Sequence, residues 1–159
     1  MMHTRAILVI LIGLALGACT TRGRPPLPAR RAPNGYGVTG TALALRGTPY
    51  RNGGTTPAGF DCSGLVHYVF AQHGIQVPRL AVDQFRAGAP VDPNKIEPGD
   101  LVFFSTVAPG ASHVGLAIGG DQFVHAPSSN GRVRVERMSL RYWAQRFVGA
   151  RRITRNGNR

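Results

Sequence analysis

Hydrophobic periodicity changes once along this chain, at Pro98-Gly99-Asp100, and that change limits the folds open to it. Before the turn, Leu65, Val66, Val69 and Phe70 recur at helical spacing, predicting a helix over 62–74 that Asp61 caps and Gly74 stops. Shorter helices are predicted over 38–45, closed by Gly47 and Pro49, and over 81–87. Between them, Pro49, Gly53, Gly54, Pro57 and Gly59 make 48–59 a loop. After the turn the apolar residues alternate, predicting strands over 101–104, 113–118, 122–126, 133–136 and 148–153. Residues 140–147 read as a short helix or an irregular connection. Helices first and antiparallel strands after predict an α+β domain. A chain of 159 residues suffices for one such domain with a modest core, and no internal repeat is present.

The N-terminus reads differently. Residues 6–18 are aliphatic or small, the length of a signal-peptide apolar region and too short to span a bilayer. They end Leu16-Gly17-Ala18-Cys19, which resembles a bacterial lipobox, where the cysteine is acylated and becomes the mature N-terminus. An ordinary secretory signal with a coincidental cysteine is the competing reading. The expected division is a lipoprotein signal over 1–18, a lipidated tether rich in Arg, Pro and Ala over 19–35, the domain over 36–155 and a tail over 156–159. Thr20 follows the cysteine where aspartate is the usual inner-membrane retention signal of enteric bacteria, so the expected site is the outer membrane, facing the periplasm. The net charge is +12, and Lys95 is the only lysine among 19 basic residues. GC-rich coding and attraction to an anionic wall polymer or membrane surface both account for this excess. No basic motif interleaved with aromatics is present, and nucleic-acid binding is not expected.

With Cys19 lipidated, Cys62 has no disulfide partner, and a lone thiol in an exported protein points to a nucleophile. A buried inert cysteine is the alternative, which the polar, glycine-containing sequence Asp61-Cys62-Ser63-Gly64 disfavours. In the first turn of its helix, Cys62 would face unpaired N–H groups and the positive end of the helix dipole. Both lower a thiol pKa, and the same donors could hold an oxyanion. His113 and His125 supply the bases. A three-residue hairpin loop at Gly119-Gly120-Asp121 would pair Ile118 with Gln122 and Gly115 with His125. The two imidazoles then become diagonal neighbours on one face, beside Gly115 and Ala117, which are small enough to admit a helix end. A two-residue loop would separate them. In this register His113 is the expected general base, and His125 hydrogen-bonds its far nitrogen and fixes its tautomer. His67 and His73 are expected to be structural. The paired spacing of a zinc site is missing, so no metal or cofactor is expected.

Taken in order, five segments resemble the NlpC family of bacterial cell-wall cysteine peptidases. They are Gly47-Thr48-Pro49-Tyr50-Arg51-Asn52-Gly53-Gly54, Gly59-Phe60-Asp61-Cys62-Ser63-Gly64-Leu65-Val66, Pro98-Gly99-Asp100-Leu101-Val102-Phe103-Phe104, His113-Val114-Gly115 and Phe123-Val124-His125-Ala126-Pro127. The resemblance implies a papain-like fold with helices packed on an antiparallel sheet, and hydrolysis of an amide bond in peptidoglycan stem peptides or cross-links. It implies Cys62 as nucleophile, His113 as base and His125 as the orienting residue. It places Tyr50 beside the nucleophile as a donor to oxyanion or substrate, and Asp61 and Ser63 on the cleft wall. Pro78-Arg79 and Gln84 match the family pattern without an assigned role. The lipobox suits the family's lipoprotein branch, anchored to the membrane by lipid and expected to be monomeric. Both D-Glu to diaminopimelate and D-Ala to diaminopimelate remain open as the bond cut. A non-catalytic wall-binding lipoprotein and an acyl- or amide-transferring enzyme are the rival functions.

Overall fold

A computed structural model of the chain describes residues 35–128 and 131–153. The expected signal, Cys19, nearly all of the tether and the 156–159 tail lie outside the described residues. The described elements are helices α1 (Gly35–Ala44), α2 (Cys62–Gln72), α3 (Ala81–Ala87) and α4 (Arg141–Ala144), with strands β1 (Thr55–Thr56), β2 (Gly59–Phe60), β3 (Ala89–Val91), β4 (Leu101–Phe104), β5 (His113–Gly119), β6 (Gln122–His125), β7 (Arg134–Arg137) and β8 (Phe147–Arg152). The α+β expectation holds, with helices ahead of an antiparallel sheet. No described helix is long and apolar enough to cross a membrane.

The sheet runs β3-β8-β4-β5-β6-β7, one strand more than the sequence predicts. The extra strand carries Pro90, which argues against a strand from sequence; β3 sits at the sheet edge against β8, where a missing N–H is tolerated. The loop over 48–59 also contains structure: β1 and β2 form a small hairpin, and Arg51 donates its N–H to Phe60 O at 3.0 Å.

The two sheet faces are packed differently. One carries Leu101, Phe103, Val114, Leu116 and Val124 against Leu65, Val66, Val69 and Phe70 of α2 and Val38 and Ala42 of α1. The other carries Val102, Phe104, Ala117, Phe123 and Ala150 beneath Trp143 of α4. This corrects one expectation: the small residues Gly115 and Ala117 do not receive a helix end. They make room for aromatics, and a Cβ on Gly115 would lie 2.4 Å from the Phe123 ring.

Candidate active site

The hairpin that brings the histidines together is built differently from the sequence expectation. Its turn is two residues, Gly120-Asp121, with Gly119 opposite Gln122 and Gly120 at φ 58°. That loop alone would have put the imidazoles on opposite faces. A bulge between Ala117 and Gly119 absorbs one residue, and beyond it Ala117 pairs with Phe123 and Leu116 with Val124, the register expected. The two errors cancel, and His113 and His125 meet.

His113 Nε2 and His125 Nδ1 lie 2.8 Å apart. Both rings are buried, at 5% and 0% exposure. Trp143 stacks on His113, with ring centroids 5.5 Å apart and planes 24° from parallel, and meets His125 edge-on. Burial pushes the pKa of both imidazoles below the ordinary range. For His113 the Glu136 carboxylate pulls the other way; for His125 the charges of His113 and Arg134 add to the depression. Both rings therefore rest neutral, the state a proton acceptor needs.

Cys62 begins α2, and Asp61 caps it by accepting the Gly64 N–H at 2.7 Å. Although α2 lies across the opposite face of the sheet, its first residue reaches the start of β5. There the backbone N–H of Val114, next to His113, points at the sulfur together with those of Ser63 and Cys62 itself. These donors favour thiolate, yet burial outweighs them and the charge of Asp61 opposes them too, so the thiol pKa is raised. The expected depression of the resting thiol is not seen.

The remaining expected residues gather at the same place. Tyr50, Asp61, Cys62 and Ser63 line one cleft of about 460 Å³, closed on its far side by Ala108–Ser112. Tyr50 is fixed by its N–H to Gly131 O at 2.8 Å, and burial, then the nearby Cys62 and Asp61, raise its phenol pKa. His113 opens on a second cleft of about 320 Å³ that includes Ser128, Arg134, Glu136, Tyr142 and Trp143. His67 Nδ1 meets Val77 O at 2.7 Å and His73 Nε2 meets Thr41 Oγ1 at 2.8 Å, both away from the site. No group of three or more His, Cys, Asp and Glu among the described residues is placed to hold a metal.

Several contributors escaped the sequence. Arg79 grips both oxygens of Asp61, at 3.0 and 2.5 Å, and reaches Ser63 Oγ at 2.9 Å. Buried Gln84 donates to Ser63 O and Pro78 O at 3.0 and 2.8 Å, tying the Arg79 segment to the start of α2. Glu136 and Trp143 close the site behind His125. Only Pro78-Arg79 and Gln84 carried a signal, as family positions without a role. Glu136 carried none, because the long β6–β7 connection leaves the register of β7 undetermined from sequence.

Residues 47–152 match the model of the NlpC/P60 family. The chain is 36% identical to the probable endopeptidase NlpC of Escherichia coli K12, a match covering 94% of this chain and 99% of that protein. It is 41% identical to the murein DD-endopeptidase MepH of the same strain, over 67% of this chain and 41% of that one. It is 47% identical to the gamma-DL-glutamyl hydrolase of Bacillus subtilis 168, over 73% of this chain and 29% of that one. The chain thus spans less than half of the latter two relatives. Among solved structures, an NlpC/P60 family protein from Bacillus cereus superposes with a TM-score of 0.72 at 33% identity, covering 76% of this chain and 40% of the other.

Proposed function

This chain belongs to the NlpC/P60 family, and from that premise we propose that it hydrolyses amide bonds of peptidoglycan with Cys62, His113 and His125. The observation that carries the proposal is the buried imidazole pair, bonded at 2.8 Å, at the point of β5 where backbone N–H groups meet the Cys62 sulfur. His113 takes the thiol proton as sulfur attacks the carbonyl carbon. The oxyanion forms against N–H groups at the start of α2, with the Tyr50 hydroxyl within the same cleft. Collapse breaks the C–N bond, and the amine leaves with the proton from His113. Water, giving its proton to His113, then hydrolyses the thioester and restores the thiol. Asp61 and Ser63, braced by Arg79, form the cleft wall beside the acyl carbon.

Two relatives of comparable identity are named for different bonds, a DD-endopeptidase and a gamma-DL-glutamyl hydrolase. Digestion of purified peptidoglycan followed by mass analysis of the fragments distinguishes them for this chain. Release of soluble fragments by the wild type and none by folded Cys62→Ala is the expected result. Undiminished release by Cys62→Ala sinks the mechanism. At the N-terminus the proposal is acylation of Cys19, a tether over 19–35 and a place in the cell envelope at the outer membrane, the folded domain acting as a monomer. Retention of Cys19→Ala on membranes at both low and high salt contradicts the anchor.

A further inference from the structure

For His113 to receive the thiol proton, its Nδ1 must carry a lone pair, so its hydrogen sits on Nε2 and is donated to His125 Nδ1. His125 must then carry its own hydrogen on Nε2. That atom is buried and has no hydrogen-bond partner among the described residues. The acceptor it faces is Glu136 Oε1, 3.6 Å away, too far for a hydrogen bond and close enough for the carboxylate charge to orient the N–H dipole of a neutral ring. The carboxylate is itself fixed: Trp143 Nε1 donates to Oε2, and Arg134 Nε to Oε1 at 2.5 Å.

Resting on the catalytic reading above, we infer that Glu136 is a positioning residue for the base. Its pinned carboxylate draws the His125 hydrogen to Nε2, which leaves Nδ1 to accept from His113 and turns the lone pair of His113 Nδ1 toward the thiol. The same charge offsets the one His113 gains on taking the proton. Arg134 is its counterweight. The guanidinium is more than half exposed, and its charge acts on His125 in the opposite sense. The charged and titratable groups facing the imidazole pair are Arg134 and Glu136 from β7 and Tyr142 from α4. Strand β4 presents only the uncharged Phe104, and α2 reaches no nearer than Cys62, whose sulfur meets the Val114 N–H beside His113.

The opposed charges give the test its sign. The imidazole titrations are followed by NMR in Glu136→Gln and Arg134→Gln, alongside the pH dependence of Cys62 alkylation and of hydrolysis. Glu136→Gln moves the His113 titration to lower pH and cuts kcat by about tenfold at unchanged KM, the equivalent of roughly one pKa unit. Arg134→Gln moves the pair to higher pH. Loss of activity in Glu136→Gln with an unmoved titration means a structural role only and overturns the inference, as do shifts in the same direction in both variants. Should Glu136→Gln fail to fold, the exposed Arg134→Gln decides alone, and no upward shift overturns the inference. If the wild type cuts no peptidoglycan, the proposed function fails, while titration and alkylation still test Glu136 without any substrate.

Discussion

Two buried polar networks sit at opposite ends of the four-residue strand β4, and they are built by different rules. At the Leu101 end, Asp100 is 2% exposed and every contact to its carboxylate is a full hydrogen bond: Arg152 Nε at 2.7 Å, Arg152 Nη2 at 2.8 Å and the Glu97 N–H at 2.8 Å. At the Phe104 end, opposite which His113 pairs, two buried imidazoles share a single bond and the outer nitrogen stops 3.6 Å short of a carboxylate. The first network is satisfied and fixed. The second keeps both its bases neutral and one donor unspent, which costs stability and leaves room for a proton to arrive. A satisfied charge pair locks strand ends together; a site that must change protonation in each turnover cannot be so saturated.

The largest expected effect comes from the open network. His113→Gln removes the group proposed to accept the thiol proton and to protonate the leaving amine, so hydrolysis is expected to fall by about 10²–10⁴, the usual worth of a general acid–base group. His125→Gln retains an amide oxygen able to accept from His113 Nε2 and should keep measurable turnover, with His125→Ala below it. Turnover of a defined muropeptide by each variant checks the order. Equal losses at the two glutamine variants break the division of roles.

The closed network should answer in stability alone. Arg152→Ala leaves Asp100 buried with one backbone donor. Because Arg152 is 41% exposed, the expected loss is about 2–3 kcal/mol, below the roughly 3–5 kcal/mol of a fully buried pair. Denaturant unfolding measures it. The folded fraction should hydrolyse substrate at the wild-type rate, and a fall in kcat would show that the two ends of β4 are not independent.

Much of this contrast was legible in the sequence, and unevenly so. The period change at Pro98-Gly99-Asp100 located the helix-to-sheet switch, and the predicted bounds of α3 and β4 coincide with those observed. Local signals sufficed there because capping, stop and alternation are properties of neighbouring residues. The histidine face was found through a loop length that was wrong by one and a bulge that no local signal announced. The raised thiol pKa escapes the sequence because helix-end donors are visible there, while the burial that outweighs them is a property of the whole fold. Glu136 needed the pairing of β6 with β7, where Phe123 lies opposite Glu136 and His125 opposite Arg134. Long-range register is what single-sequence periodicity leaves free.

The smallest predicted effect, counted per residue, is the response of the open network to acid, and its sign follows from burial. Both imidazoles have folded pKa values below the ordinary 6.5, so the unfolded chain binds more protons than the folded one below that pH. Stability is therefore full above about pH 6.5 and declines as the pH falls, by at most about 1.4 kcal/mol per pH unit for each group. Coupling adds to the loss: the unfolded chain takes up both protons as the pH falls below 6.5, while repulsion between the rings keeps the second proton off the folded pair. The expected difference between pH 7 and pH 5 is about 2 kcal/mol for each imidazole. Carboxylates elsewhere also respond to acid, so the wild type alone cannot isolate the pair. The His113→Gln/His125→Gln double variant shares every other titrating group, and subtracting its unfolding free energies at the two pH values leaves the contribution of the imidazoles. A flatter pH dependence in the double variant sharpens the contrast between the two ends of β4. Parallel curves would mean that the histidines titrate alike in folded and unfolded chains, and the buried neutral pair at the Phe104 end would have to be abandoned.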